Sequence, residues 1–128
     1  MNSVAQQTLA STAADEAEVR ALYQRSMDGW NKGRGDLFAA PLAEDADLVG
    51  KVTRVRFLAP TVALMHAVGG TVMAGQTDLE PERNSVQTLV AVKAEGEWRL
   101  AAFQNTRAQY LGRPESALAL TEELRRLL

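Results

Sequence analysis

Gly96-Glu97-Trp98-Arg99-Leu100-Ala101-Ala102-Phe103-Gln104-Asn105-Thr106-Arg107 is the stretch from which the fold is read. It opens on a Gly-Glu turn, carries Trp98, Leu100 and Phe103 at strand-like spacing, and ends in a polar Gln-Asn-Thr-Arg cluster. Large apolar side chains followed by amides suit a half-buried β-strand that lines a pocket. Working backward, Glu95-Gly96-Glu97 is a tight turn after a strand expected over 83–94. Before it, Val62 to Met73 reads as a long strand with a bulge expected at Gly69-Gly70, and Val52, Val55 and Phe57 mark another, turning at Ala59-Pro60-Thr61.

Helices flank this run of strands. Val19, Leu22, Tyr23, Ser26, Met27 and Trp30 recur at helical spacing, which predicts a helix from about Asp15 to Asn31. Thr12 and Asp15 have capping-box spacing, and Asn31-Lys32-Gly33 is a C-terminal signal. A short second helix is expected after Asp36, carrying Leu37, Phe38 and Leu42 and broken at Pro41. Gly112-Arg113-Pro114 opens a C-terminal helix, with Ala117, Leu120, Leu124, Leu127 and Leu128 as its apolar stripe and a Glu122–Arg126 pair. The expected organisation is a flexible tail over 1–14, a domain over 15–110 and a C-terminal helix over 111–128, an α+β fold.

Composition narrows the function classes. The chain has 128 residues, enough for one domain that buries roughly two-thirds of its unfolded surface. Fourteen basic against 16 acidic residues give a net charge of −2 without a basic stripe, which argues against a nucleic-acid partner. No cysteine is present, so thiolate metal sites, disulfides and cysteine nucleophiles are excluded, and a single histidine makes a metal site an unexpected reading. Residues 1–14 lack the basic and apolar regions of a signal peptide, and no apolar run approaches the ~20 residues of a membrane span. A soluble, cytoplasmic domain without membrane contact is the expectation. No Gly-x-Ser-x-Gly elbow, Walker loop or dinucleotide fingerprint occurs, so no cofactor is implied.

Three stretches carry a resemblance. They are Trp30-Asn31-Lys32-Gly33 with Glu44-Asp45-Ala46-Asp47, Val55-Arg56-Phe57-Leu58-Ala59-Pro60 with His66-Ala67, and Trp98 to Thr106. Together they resemble the NTF2-like (cystatin-like) superfamily, in its SgcJ/EcaC branch of SnoaL-like, DUF4440-type domains. Residues 69–87 and 107–114 are similar to members associated with bacterial enediyne polyketide clusters. The resemblance implies a cone of curved antiparallel sheet closed by N-terminal helices, a hydrophobic polyketide or polyene ligand in the cone, and a homodimer. It also implies antibiotic biosynthesis as the setting, and a cyclase or isomerase or a non-catalytic assembly domain as alternatives. The sequence departs from the family between Asp47 and Val52, where about 25–35 residues by typical element lengths are replaced by Leu48-Val49-Gly50-Lys51. The expectation is that this segment belongs to the protein but is missing from the 128-residue chain, which an intact mass of 13.9 kDa would reject.

Candidate site residues follow from the strand and helix faces. His66 shares strand parity with Val62, Leu64 and Val68, and is either a catalytic pocket base or a buried histidine satisfied by a neighbour. Gln104 shares a face with Trp98, Leu100 and Ala102, whereas Asn105 shares one with Arg99, Ala101 and Phe103; unless a bulge intervenes only one amide lines the cavity, and the apolar payload favours Gln104. Tyr23, Met27 and Trp30 are core residues that can also wall a pocket, as Trp98 can. Arg83 is a solvated charge or a contact at the pocket mouth. Asp28, Asp45, Asp47, Asp78, Glu80 and Glu82 are the carboxylates available as general bases.

Overall fold

The computed structural model describes residues 2–31, 46–110 and 112–128, with side chains from residue 13 onward except that of Trp30. Helix α1 (Asn2–Asn31) leads into four antiparallel strands in the order β1 (Asp47–Ala59), β2 (Val62–Val72), β3 (Ser85–Ala94) and β4 (Glu97–Arg107), followed by helix α2 (Pro114–Arg125). The short helix expected after Asp36, with Pro41, lies outside the described residues.

Helix α1 starts at Asn2 and not near Asp15, because the Ala- and Gln-rich stretch before Asp15 has helical propensity of its own. Asp15 is therefore no cap. It sits within the helix and faces the sheet, where its Oδ1 accepts hydrogen bonds from the Trp98 indole Nε1 at 3.0 Å and from Lys93 Nζ at 3.2 Å. One turn apart, Val19, Tyr23 and Met27 bury the same helix face against Ala63, Met65, Leu89 and Ala91. At the helix end, Asn31 donates from Nδ2 to the Leu48 carbonyl and accepts from the Leu48 amide at Oδ1, both at 2.8 Å, which fixes the start of β1. Asp47 to Val52 forms one uninterrupted ladder with Val72 to Ala67.

No bulge lies at Gly69-Gly70; both glycines stay in register opposite Gly50 and Val49. What glycine supplies there is room. A Cβ on Gly50 would collide with the Tyr23 hydroxyl, and one on Gly69 would lie 2.6 Å from Gln87 Nε2. The extra residues fall at Thr53 and Leu58 in β1 and at Ala101 in β4. Each shifts parity, so that Val52 and Val55 both reach the core, as do Leu100 and Phe103. Bulges also increase local twist, which suits a curved sheet. Glu95 and Gly96, both at positive φ, close the β3–β4 hairpin in two residues.

Helix α2 covers one end of the sheet through a second apolar cluster, Leu79, Leu120 and Leu124 against Val49, Val68 and Val72. Its expected stripe stops short: Leu127 and Leu128 are exposed, lying past the helix end. The expected Glu122–Arg126 pair is replaced by Arg125, which binds Glu122 and, with Nε and Nη2 both at 3.0 Å, the two oxygens of Asp78. Among the described residues, no helix is long and apolar enough to cross a membrane.

Candidate binding cavity

Strand alternation gives β2 and β3 an inner row facing α1, formed by Met65, Ala67, Ser85, Gln87 and Leu89. At its α2 end, beside Met27 in the last turns of α1, a cavity of about 70 Å³ opens. Met27, Leu48 and Phe103 give it an apolar side, and Thr71, Arg83, Ser85, Gln87 and Asn105 a polar one. No carboxylate or imidazole lines it among the described residues.

The polar side is ordered by one chain of hydrogen bonds. Tyr23, fully buried, donates its phenol proton to Gln87 Oε1 at 2.6 Å, and Gln87 Nε2 donates to Asn105 Oδ1 at 3.2 Å. Burial raises the pKa of Tyr23, so the phenol is neutral and its proton needs an acceptor. That requirement fixes the Gln87 amide with its oxygen toward Tyr23, and in turn leaves the Asn105 NH2 group as the free end. Thr71 and Ser85 are buried, and their hydroxyls bond no described residue. The half-buried Arg83 forms no ion pair or side-chain hydrogen bond among the described residues.

The expected site residues divide between two faces. Asn105, Met27 and Tyr23 meet at or beside the cavity. Gln104 does not: Ala101 is extra in β4, so Phe103 and Asn105 join the side of Trp98 and Leu100, and Gln104, paired with Thr88, is turned to the other face and exposed. Trp98 is core, in edge-to-face contact with Phe57 at 5.7 Å between ring centres and tied to Asp15, away from the cavity. His66 pairs with Arg54 and Thr88 on the face turned from α1, so it is not a base within this cavity. Its row is valine and leucine because that side is also half-buried, which parity alone does not distinguish from a pocket wall. The side chain of Trp30, and Asp45, lie outside the described residues. Of the other carboxylates, Asp28 accepts from Gln24 on the outside of α1, Asp78 is held by Arg125, and Asp47, Glu80 and Glu82 are exposed. Among the described residues no three His, Asp or Glu cluster as metal ligands would.

A second cavity, about 160 Å³, lies under α2 between Pro81, Ala108, Tyr110, Leu118 and Leu120. Its buried amide, Asn84, donates from Nδ2 to Thr121 Oγ1 at 2.9 Å, while Oδ1 has no partner and lies toward Gly70. Its arginine, Arg125, is the one bound by Asp78 and Glu122.

No family model matches the chain, and no curated protein matches it. A solved structure does: a domain of unknown function with a cystatin-like fold from Nostoc punctiforme PCC 73102, at a TM-score of 0.66 and 28% identity, over 83% of this chain and 85% of that one. The fold is cystatin-like. Within it, the Arg83–Asn105 cavity lies on the side of the sheet that α1 covers.

Proposed function

We propose that this cystatin-like domain binds a small organic molecule in the cavity beneath the C-terminal end of α1. The observation that carries the reading is the convergence of Thr71, Ser85, Asn105 and Arg83, each with a donor that no described residue accepts, beside the apolar surface of Met27, Leu48 and Phe103. Ligand sites combine largely apolar walls with a few oriented polar groups. Sites for drug-sized ligands measure about 300–1,000 Å³, so a cavity of about 70 Å³ takes only the end of a long molecule. An apolar or polyene polyketide intermediate, the ligand class implied by the resemblance to enediyne-cluster members, would enter by one end, with the remainder outside. Binding is favoured over cyclase or isomerase chemistry because no general base faces the cavity among the described residues. Titration with a conjugated polyene carboxylate, followed by the side-chain amide resonances of Gln87 and Asn105, tests the reading. Saturable shifts of both are expected, and unmoved resonances at saturation would reject it.

A homodimer through the sheet face turned from α1 belongs to the same proposal. Val62, Leu64, Val90 and Val92 form a half-buried row there, and Val86 is exposed beside it. Native mass spectrometry at micromolar concentration is expected to give twice 13.9 kDa; monomer alone would reject the dimer.

A further inference from the structure

We infer that the cavity is specific for a carboxylate, or an equally compact oxyanion on a short apolar stem, gripped by Arg83. The inference rests on the binding reading above and adds the chemical class of the group that enters first.

The cavity holds donors without acceptors to match them. The buried Tyr23 phenol fixes the direction of the whole amide chain, since its proton has Gln87 Oε1 as its acceptor. Gln87 spends its nitrogen on Asn105 Oδ1, so the outermost member presents N–H groups and not a carbonyl. Arg83 has donors only, and Thr71 and Ser85 each have a hydroxyl proton to place. Every polar group able to turn toward a ligand can thus donate, and no charge other than that of Arg83 lines the cavity among the described residues. A neutral amine or alcohol leaves the Arg83 charge unmatched, and a cation is repelled. A carboxylate offers about four lone-pair sites, pairs with a guanidinium through two parallel bonds, and makes charge-assisted bonds roughly twice as strong as neutral ones. The surface of Met27, Leu48 and Phe103 has room for the few methylenes next to that head group.

Matched probes test this on the full chain: butyrate and butyramide, nearly equal in size and differing in charge, titrated while the Asn105 and Gln87 side-chain amides are followed by NMR. Butyrate is expected to bind at least tenfold more tightly than butyramide. Arg83→Gln should reduce butyrate affinity at least tenfold and butyramide affinity little, with Arg83→Lys in between because charge survives without the bidentate fork. Gln87→Glu should also weaken butyrate, since the substituted carboxylate turns the Asn105 NH2 group toward itself and adds a negative charge. Backbone amide spectra identify any variant that fails to fold, and Arg83, half-buried at the rim, is the position least exposed to that risk. Equal affinities for acid and amide, with Asn105 shifting in both, would overturn carboxylate specificity and leave the binding reading standing. No shift with either probe or with the polyene carboxylate would remove both.

Discussion

The cavity beside α1 and the cavity under α2 each contain an arginine, and the two arginines are in opposite states. Arg125, under α2, is held by both oxygens of Asp78 and by Glu122, which lowers the pKa of Asp78, first through the Arg125 hydrogen bonds and then through the Leu79 amide. Arg83, beside α1, has no such partner among the described residues. A cation already neutralised by two carboxylates staples a helix to a loop; a cation with no carboxylate beside it, next to hydroxyls and the Asn105 NH2 group, is available to a ligand. Volume alone points the other way, since the α2 cavity is the larger. Buried unpaired atoms do not separate them either, since Asn84 Oδ1 lacks a partner under α2; the better guide is charge, because Arg83 has no carboxylate beside it among the described residues and Arg125 has two.

The same contrast governs stability. The α1 side is held by fully buried side chains, and the α2 end by a small cluster fastened with surface ion pairs, Lys51–Glu123 at 2.7 Å among them. The sharpest break is Leu89→Ala, at the centre of the α1 side, which should cost about 2–5 kcal/mol in denaturant unfolding; Leu127→Ala, past the end of α2, should stay within about 0.5 kcal/mol. Next comes Tyr23→Phe, which leaves the buried Gln87 oxygen without its donor and should cost about 1–3 kcal/mol. It should also let the Gln87 and Asn105 amides reorient, weakening carboxylate binding although Tyr23 lies behind the site.

Acid sharpens the comparison further. The Asp15 carboxyl is held below its ordinary pKa, mainly by the Trp98 indole and also by Lys93, against the opposing effect of burial. A group with a depressed folded pKa binds more protons when unfolded, so its stabilisation is present above about pH 4, the unfolded value, and is lost as pH falls through the lower folded value. Wild-type stability should therefore fall below about pH 4 more steeply than that of Asp15→Asn, as read by urea midpoints across the acid range. The smallest effect belongs to the α2 staples. Lys51→Ala should loosen α2 slightly in low salt and make no difference in 1 M salt, where surface pairs are screened.

Much of the architecture is legible in the residues. Glu95-Gly96 announces its hairpin, Pro114 the start of α2, and Val19, Tyr23 and Met27 the face of α1, because each depends on local geometry or helical period. What the sequence conceals is parity. One extra residue at Ala101 moves Asn105 to the inner side and Gln104 to the outer, and no composition rule signals where a ladder gains a residue. His66 misleads for a related reason: a strand with small residues inward and valines outward presents two apolar faces, and only the position of α1 says which is hollow. Arg83 reads from the sequence as a solvated charge or a contact at the pocket mouth, and its lack of a counter-ion among the described residues is a property of the folded chain. Gly69 suggests a bulge, yet its role is to leave space for Gln87, and the amide that needs the space is the clue.

The most direct test sets the two regions against each other in one experiment. Butyrate is added to the isotope-labelled protein, and the side-chain amide resonances of Asn105 and Asn84, one beside each cavity, are followed together. Asn105 is expected to shift and saturate while Asn84 stays still. Movement of Asn84 with Asn105 unmoved would place the ligand under α2 and contradict the assignment of the site to the cavity beside α1.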